Sequence, residues 1–267
     1  MAIINRVINI GNTVGDNMAR STSVVMLLLI VCTSLPGCLF GDKDANSIDL
    51  NVNYDSNFET VVEIYSEGEL IQMIPAAFEF DFSQTTASGT IKSFGIETFD
   101  GRGPIEIDAE TDSVISIQFL THGMYEISVY AVDSRGNKNN QSISLRVDLR
   151  IDWTQSETNN PLALPFNPEP ENNGPNAKMI EIISNVENPP LIDNIGESGQ
   201  PVQITWQLVD ELDDICQTRN GQINDGDTML WQTLYFNTYM LHELRIVMDE
   251  GQDSVSVNQS VSILYDN

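Results

Sequence analysis

Period-two alternation runs through this chain and limits it to extended structure. In Tyr125–Asp133, residues Tyr125, Ile127, Val129 and Ala131 fall on one face of a strand. Glu126, Ser128 and Tyr130 fall on the other. Ser113–Phe119 places Ile115 and Ile117 together, and Gln141–Leu149 does the same for Ile143, Leu145 and Val147. Thr121-His122-Gly123 and Ser134-Arg135-Gly136-Asn137 separate these runs with turn-forming residues. No long apolar repeat of helical period occurs beyond residue 47. Short strands at regular spacing predict an all-β chain built of sandwiches.

A break falls after Trp153. Residues 155–176 are rich in Asn, Pro and Glu, and Pro161, Pro165, Pro168, Pro170 and Pro175 deny them a continuous hydrogen-bonded ladder. Alternation returns at Met179–Val186, Val202–Val209, Met229–Phe236, Leu241–Met248 and Val255–Tyr265. The expected organisation is one sandwich over 48–153, a Pro/Asn-rich linker or loop over 154–177, and a second sandwich over 178–267. The two halves look like a tandem repeat. A strand ending at Asp133 leads through a polar turn to Asn140-Gln141-Ser142, and a strand ending at Asp249 leads to Asn258-Gln259-Ser260.

Gly123-Met124-Tyr125-Glu126-Ile127-Ser128-Val129-Tyr130-Ala131-Val132-Asp133, followed by Ser134-Arg135-Gly136-Asn137, resembles the C-terminal half of PKD-type immunoglobulin-like domains. That family reads Gly-x-Tyr-x-Val-x-Leu-x-Val-x-Asp-x-x-Gly-Asn there. Phe80-Asp81-Phe82-Ser83 and Gly89-Thr90-Ile91-Lys92-Ser93-Phe94 resemble its earlier strands. Of the hallmark Trp-Asp-Phe-Gly-Asp-Gly only Asp100-Gly101 remains, with Ile96, Glu97, Thr98 and Phe99 in the first four places. The match covers roughly residues 78–149. It implies two tandem immunoglobulin-like sandwiches, the second through its likeness to the first. It also implies structural roles for Tyr125 in the core and Asp133 in a tight turn.

The N-terminus carries a second signal. Arg6 and Arg20 precede the apolar run Val24–Cys32, and Leu35-Pro36-Gly37-Cys38 follows it. Charged, apolar and small-residue regions in that order make a secretory signal, and the run is shorter than the roughly 20 residues of a membrane span. A cysteine just after the cut resembles the lipobox of prokaryotic lipoproteins. The resemblance implies removal of residues 1–37, a diacylglyceryl group on Cys38, and a tether over 38–47. Two acyl chains suffice for stable anchoring where one does not. An uncleaved N-terminal anchor is the competing reading. Both put the rest of the chain outside the membrane, because Arg6 and Arg20 hold the N-terminus inside.

Of 12 basic and 39 acidic residues, Arg6, Arg20 and Asp16 lie before Cys38, so the remainder has a net charge of −28. Such a chain repels nucleic acid, which is excluded as a partner, and anionic lipid. Cys32 leaves with the signal and Cys38 takes the lipid, so Cys216 has no cysteine to pair with. No zincin helix, nucleophile elbow, phosphate-binding loop or Cys-x-x-Cys occurs. His122 and His242 are expected as turn or edge residues. Asp213, Asp214, Asp225 and Asp227 fall in two acidic loops and are candidate calcium ligands, since calcium takes six to eight oxygens from such groups. No other cofactor is expected. Asn140 and Asn258 each begin Asn-Gln-Ser, an N-glycosylation acceptor, and both are expected at hairpin turns.

The expected function is that of a non-enzymatic, membrane-anchored surface lipoprotein. Its immunoglobulin-like domains would act as a spacer or as an adhesion module for cell-envelope protein or polysaccharide. The alternative is an accessory extracellular hydrolase using an acidic pair, with Asp225, in the second domain.

Overall fold

The computed structural model describes residues 47–190, 199–249 and 252–266. Cys38 and the whole signal segment lie outside them. All regular structure among the described residues is strand. In the N-terminal half these are β1 (Ile48–Asp49), β2 (Phe58–Ser66), β3 (Glu69–Ile74), β4 (Ala76–Asp81), β5 (Thr86–Ala87), β6 (Ile91–Glu97), β7 (Ile105–Asp108), β8 (Val114–Phe119) and β9 (Gly123–Asp133). The strand β10 (Lys138–Thr158) follows. Then come β11 (Leu164–Phe166), β12 (Met179–Glu187), β13 (Val202–Asp210), β14 (Ile215–Ile223), β15 (Thr228–Tyr235), β16 (His242–Met248) and β17 (Val255–Leu264).

The first sandwich sets β4 and β8 against a sheet in which β10, β9, β6 and β7 lie side by side. Alternation does what periodicity predicts. Ile115, Ile117, Ile127, Val129, Ile143, Leu145 and Val147 are all buried. Phe82 stacks on Phe94 with ring centroids 4.9 Å apart, and Phe119 lies 4.2 Å from Tyr125. The Tyr125 hydroxyl donates to the carbonyl of Thr121, four residues back, at 2.9 Å. This is the tyrosine corner of immunoglobulin-like sandwiches, and it ties the strand to the preceding loop. On the outer face Tyr130 is buried as well. Gly95 makes room for it, since a Cβ there would sit 2.2 Å from the ring.

The second sandwich packs β11, β16, β13 and β14 against β10, β17, β12 and β15. Its core holds all three tryptophans. Trp153, Gln259, Ser184 and Trp231 face one another in register across β10, β17, β12 and β15. Trp206, from the opposite sheet, donates its indole N–H to Ser184 Oγ at 2.9 Å.

One strand belongs to both sandwiches. The N-terminal part of β10 pairs antiparallel with β9, and its C-terminal part pairs antiparallel with β17 and parallel with β2. The Pro/Asn-rich segment joins the fold at two places. Thr154–Thr158 completes β10, and β11 pairs with β16 despite Pro165, as an edge strand allows.

The sequence repeat has a different outcome in each half. The strand before Asp133 and the strand after it form a hairpin. The strands flanking Asp249 do not pair, because β16 lies in one sheet and β17 in the other. The expected equivalence of those two turns is therefore corrected. The connection from Met248 to Val255 is longer than the four-residue connection from Asp133 to Lys138, long enough to cross the sandwich.

Candidate functional site

The residues singled out in the sequence are dispersed. Asn140 and Asn258 are exposed, but both lie inside strands, β10 and β17, rather than at turns. The first hairpin closes by residue 137, and Asn258 pairs across β17 with Thr154 and Asn185. The four aspartates do not converge. Asp213 and Asp214 precede β14, and Asp225 and Asp227 follow it, so the nine-residue strand separates the pairs by roughly 30 Å. Both pairs sit in ordered turns. Asp213 is held by Arg245 at 2.7 Å, and Asp227 accepts from Asn224 Nδ2 at 3.0 Å. Among the described residues no group of three or more His, Cys, Asp or Glu is arranged to hold a metal ion.

His122 lies in the loop just before β9 and His242 is the first residue of β16, as read from the sequence, and both are buried. His242 opens β16 beneath Phe166 and Tyr235, and its Nε2 lies 3.0 Å from the carbonyl of Asn237. His122 sits at the seam where the start of β9 and the end of β17 meet along β10. Its Nδ1 is 2.8 Å from the Tyr265 hydroxyl and its Nε2 3.2 Å from the Asn167 carbonyl. Asp148, on β10 at the same seam, accepts from the backbone N–H of Tyr265 at 3.0 Å. Burial pushes both imidazoles below their ordinary value and pushes the Asp148 carboxyl above its own. The polar groups here bind the two sandwiches to each other.

A cleft of about 1270 Å³ opens beside this seam. Its floor is β8 and β9, with Gln118, Phe119, Tyr125 and Glu126. One wall is the loop after β6, carrying Phe99, Asp100 and Arg102. The other is the Pro/Asn-rich strap at Glu171–Pro175. Asn172 pins the strap. Its Nδ2 donates to the Met124 carbonyl at 2.8 Å, and its Oδ1 accepts the Gly174 N–H at 2.9 Å. Gly123 and Gly174 make this contact feasible, since a Cβ on either would come within 2.8 Å of the Asn172 amide.

The opposite wall is also rigid. Asp100 accepts from Arg102 Nε at 2.8 Å and NH2 at 2.5 Å, and from Thr98 Oγ1 at 2.7 Å. Burial works to raise the Asp100 carboxyl, but the bonds from Arg102 and Thr98 outweigh it and hold it at about 2. Arg102 NH1 donates to the Gln118 carbonyl at 2.8 Å, and the guanidinium lies 5.0 Å from the Phe119 ring centroid. These contacts use three of the five N–H donors of the guanidinium, leaving two on its exposed side. Phe99 stands at the lip, 64% exposed, with φ of 55°. A bulky residue in the left-handed region is a true outlier and marks stored strain. It occupies the place that is Gly in the resembled hallmark. Glycine would adopt this turn without strain, so the turn carries an aromatic side chain outward at a cost in stability. The sequence reading missed this lip; a bulky residue directly before Asp100-Gly101 is the one signal that could have found it. Nothing in the sequence pointed to Asn172 or Glu171, which reach the site only through the path of the strap.

No family model and no curated protein matches the chain. Among solved structures it is similar to a carbohydrate-binding module of the β-sandwich superfamily, with 11% identity, TM-score 0.29, and coverage of 83% of this chain and 93% of that one. It is also similar to fibronectin(III)-like modules of CbhA from Clostridium thermocellum, with 12% identity, TM-score 0.25 and coverage of 81% and 94%. A third is SGBP-B of the Bacteroides ovatus mixed-linkage glucan utilization locus, with 10% identity, TM-score 0.21 and coverage of 78% and 52%.

Proposed function

We propose that this chain is a non-enzymatic surface lipoprotein that binds a neutral polysaccharide in the cleft between the Phe99 loop and the Asn172 strap. The first sandwich is a PKD-type domain in this reading, and Cys38 carries the lipid that holds it to the outer face of the membrane. The exposed, strained Phe99 ring beside the immobilised Arg102 carries the proposal. A flat aromatic face stacks on the C–H face of a sugar ring, and fixed N–H donors read hydroxyls at little entropic cost. Both walls are held by side-chain bonds, so the cleft is formed before a ligand arrives. Its volume exceeds that of ordinary small-molecule pockets, of about 300–1,000 Å³, and suits an extended chain. The net charge of −28 from Cys38 onward disfavours anionic polymers, which leaves neutral glycans as the matching class.

Calorimetric titration of the full chain with a β-glucan, an α-mannan and chitin oligosaccharides tests the proposal. Binding of at least one, weakened about tenfold or more by Phe99→Ala, is the expected result. Absence of binding to all three, or binding indifferent to Phe99→Ala, would overturn the cleft assignment. The anchor is tested separately by intact mass of the membrane-extracted protein. A species beginning at Cys38 plus lipid, lost in Cys38→Ser, is expected, and a species retaining residues 1–37 would refute it.

A further inference from the structure

Every second residue along the first part of the Pro/Asn-rich strap is withdrawn from solvent. Leu164, Phe166, Pro168 and Pro170 are buried, while Pro165, Asn167, Glu169 and Glu171 are exposed. This is the alternation of an extended backbone laid against the fold, with one row of side chains turned outward. The row is fastened along its length. β11 pairs with β16, the Asn167 carbonyl lies 3.2 Å from His122 Nε2, and the Asn173 N–H closes a turn on the Pro170 carbonyl at 3.3 Å. It therefore keeps its place without a ligand.

The row walls more than the cleft. A second hollow, of about 190 Å³, is lined by Pro165, Asn167, Glu169 and Glu171, with Glu63 of β2 and Leu149 and Ile151 of β10. The hollow and the cleft share Leu120, Thr121 and Glu171. Their border is thus a step, formed by the loop after β8 and by the strap. Leu120 is 60% exposed there, and the Glu171 side chain is exposed as well. At about 190 Å³ the hollow falls below ordinary small-molecule pockets, which start near 300 Å³, so it is no site by itself. Joined to the cleft, it lengthens a larger one.

Resting on the reading of the cleft as a glycan site, we propose that the bound polysaccharide continues past Leu120 into the second hollow. The protein then recognises a run of sugar units along the strap, and not only the unit at Phe99. Leu120 offers an apolar surface to the C–H face of a ring. Glu171 accepts hydroxyl hydrogen bonds, which a charged acceptor strengthens. Beyond the step, Asn167 Oδ1 is taken by the Glu169 N–H at 3.1 Å, which leaves the Asn167 amide N–H groups as donors. The Glu169 carboxylate stands beside them as an acceptor. Mixed donors and acceptors suit hydroxyls, which are both. The carboxylates of Glu63, Glu169 and Glu171 repel an anionic chain, so the hollow and the cleft favour the same neutral class.

Calorimetric titration of the full chain with the trimer and the hexamer of a β-glucan, an α-mannan and chitin tests this. A hexamer offers a three-unit site four registers, which tightens apparent binding by about fourfold at most. The expected result is a hexamer bound more tightly than that limit allows, by about tenfold over the trimer. Leu120→Asp, at the step, should bring the ratio back to the limit. Glu169→Ala, in the hollow alone, should lower the ratio and leave the trimer unchanged. Both side chains are exposed, so neither substitution disturbs the core. A parent ratio of about fourfold or less, or a larger one that neither substitution lowers, overturns the extension and leaves the cleft reading standing. Binding of neither length overturns the cleft reading and the extension with it.

Discussion

Two hairpin turns, one in each sandwich, make the same hydrogen bonds from different sequences. At the end of β9, Asp133 Oδ1 accepts the N–H of Arg135 at 2.9 Å and of Asn137 at 2.8 Å. The Asp133 N–H donates to the Asn137 carbonyl, and the Gly136 N–H donates to the Asp133 carbonyl, both at 3.0 Å. At the end of β13, Asp210 Oδ1 accepts the N–H of Leu212 and of Asp214, each at 3.0 Å. Asp210 N–H donates to the Asp214 carbonyl at 3.1 Å, and Asp213 N–H to the Asp210 carbonyl at 3.0 Å. The fourth residue is left-handed in both, Gly136 at φ 87° and Asp213 at φ 66°. An aspartate at the first position and a left-handed residue at the fourth therefore suffice. Glycine is the easy choice at the fourth position, and Asp is among the few others that tolerate it.

Removing the first-position carboxylate should have the largest effect. Asp210→Ala removes the acceptor of two exposed backbone N–H groups, which water replaces only in part, and is expected to cost about 1–2 kcal/mol. Asp133→Ala should lower the melting temperature in the same direction. Asp249→Ala, which the sequence repeat would equate with Asp133, should leave it unchanged, because Asp249 is exposed and ends no hairpin. Thermal unfolding of the three variants decides which aspartate is the counterpart. Acid sharpens the test. Bonds from the Asn137 side chain, then from the N–H groups of Asn137 and Arg135, hold the Asp133 carboxyl below its ordinary 3.8. A depressed carboxyl contributes stability above pH 3.8, and the contribution vanishes as pH falls through the folded value. Urea midpoints between about pH 5 and pH 2 should fall less steeply in Asp133→Ala than in the parent.

The same comparison shows what was legible in the sequence. Asp-x-x-Gly-Asn declares its turn because Gly136 announces the left-handed residue. Asp210-Glu211-Leu212-Asp213-Asp214 performs the same task but reads as an acidic cluster, and so suggested calcium. Alternation exposed the inward faces of β8, β9 and β10, because each buries one face and wets much of the other. It was silent on how strands share sheets. β10 serves both sandwiches, a matter of its length and of which neighbours reach each part of it. The cleft was not read from the sequence, because one wall is a turn at Phe99 and the opposite wall arrives from some seventy residues downstream, as Glu171–Pro175.

Reversing the fourth residue in the first turn ranks next. Gly136→Asp keeps the bonding pattern but imposes a left-handed aspartate, and should cost about 1 kcal/mol. A Cβ at Gly136 meets nothing within 4 Å, so the loss would be conformational and not steric. A loss several times larger in chemical denaturation would break the equivalence of the two turns. Phe99 extends the comparison to a left-handed position with no structural excuse for its side chain. Phe99→Gly should stabilise the fold by somewhat under about 1 kcal/mol, since glycine also gains freedom in the unfolded chain. The same variant should lose glycan binding, so denaturation and titration together separate strain kept for recognition from strain that serves nothing.

The smallest effect should come from Asp213→Gly. Glycine relieves the left-handed strain that Asp213 bears, a gain below about 1 kcal/mol because aspartate tolerates this region better than most residues. The substitution also removes the 2.7 Å pair between Asp213 and Arg245. Arg245 keeps a second partner, Glu243, at 2.7 Å. Asp213 is largely exposed, so the lost pair is worth about 0–1 kcal/mol. The two changes oppose each other, and the net shift in stability should stay within about 0.5 kcal/mol. Salt separates them. Strain is indifferent to ionic strength while an exposed ion pair is screened, so Asp213→Gly should gain relative to the parent as salt rises. A variant destabilised by more than about 1 kcal/mol in high salt would mean that the Asp213 side chain holds this turn in a way Gly136 never could, and the likeness of the two hairpins would end at their backbones.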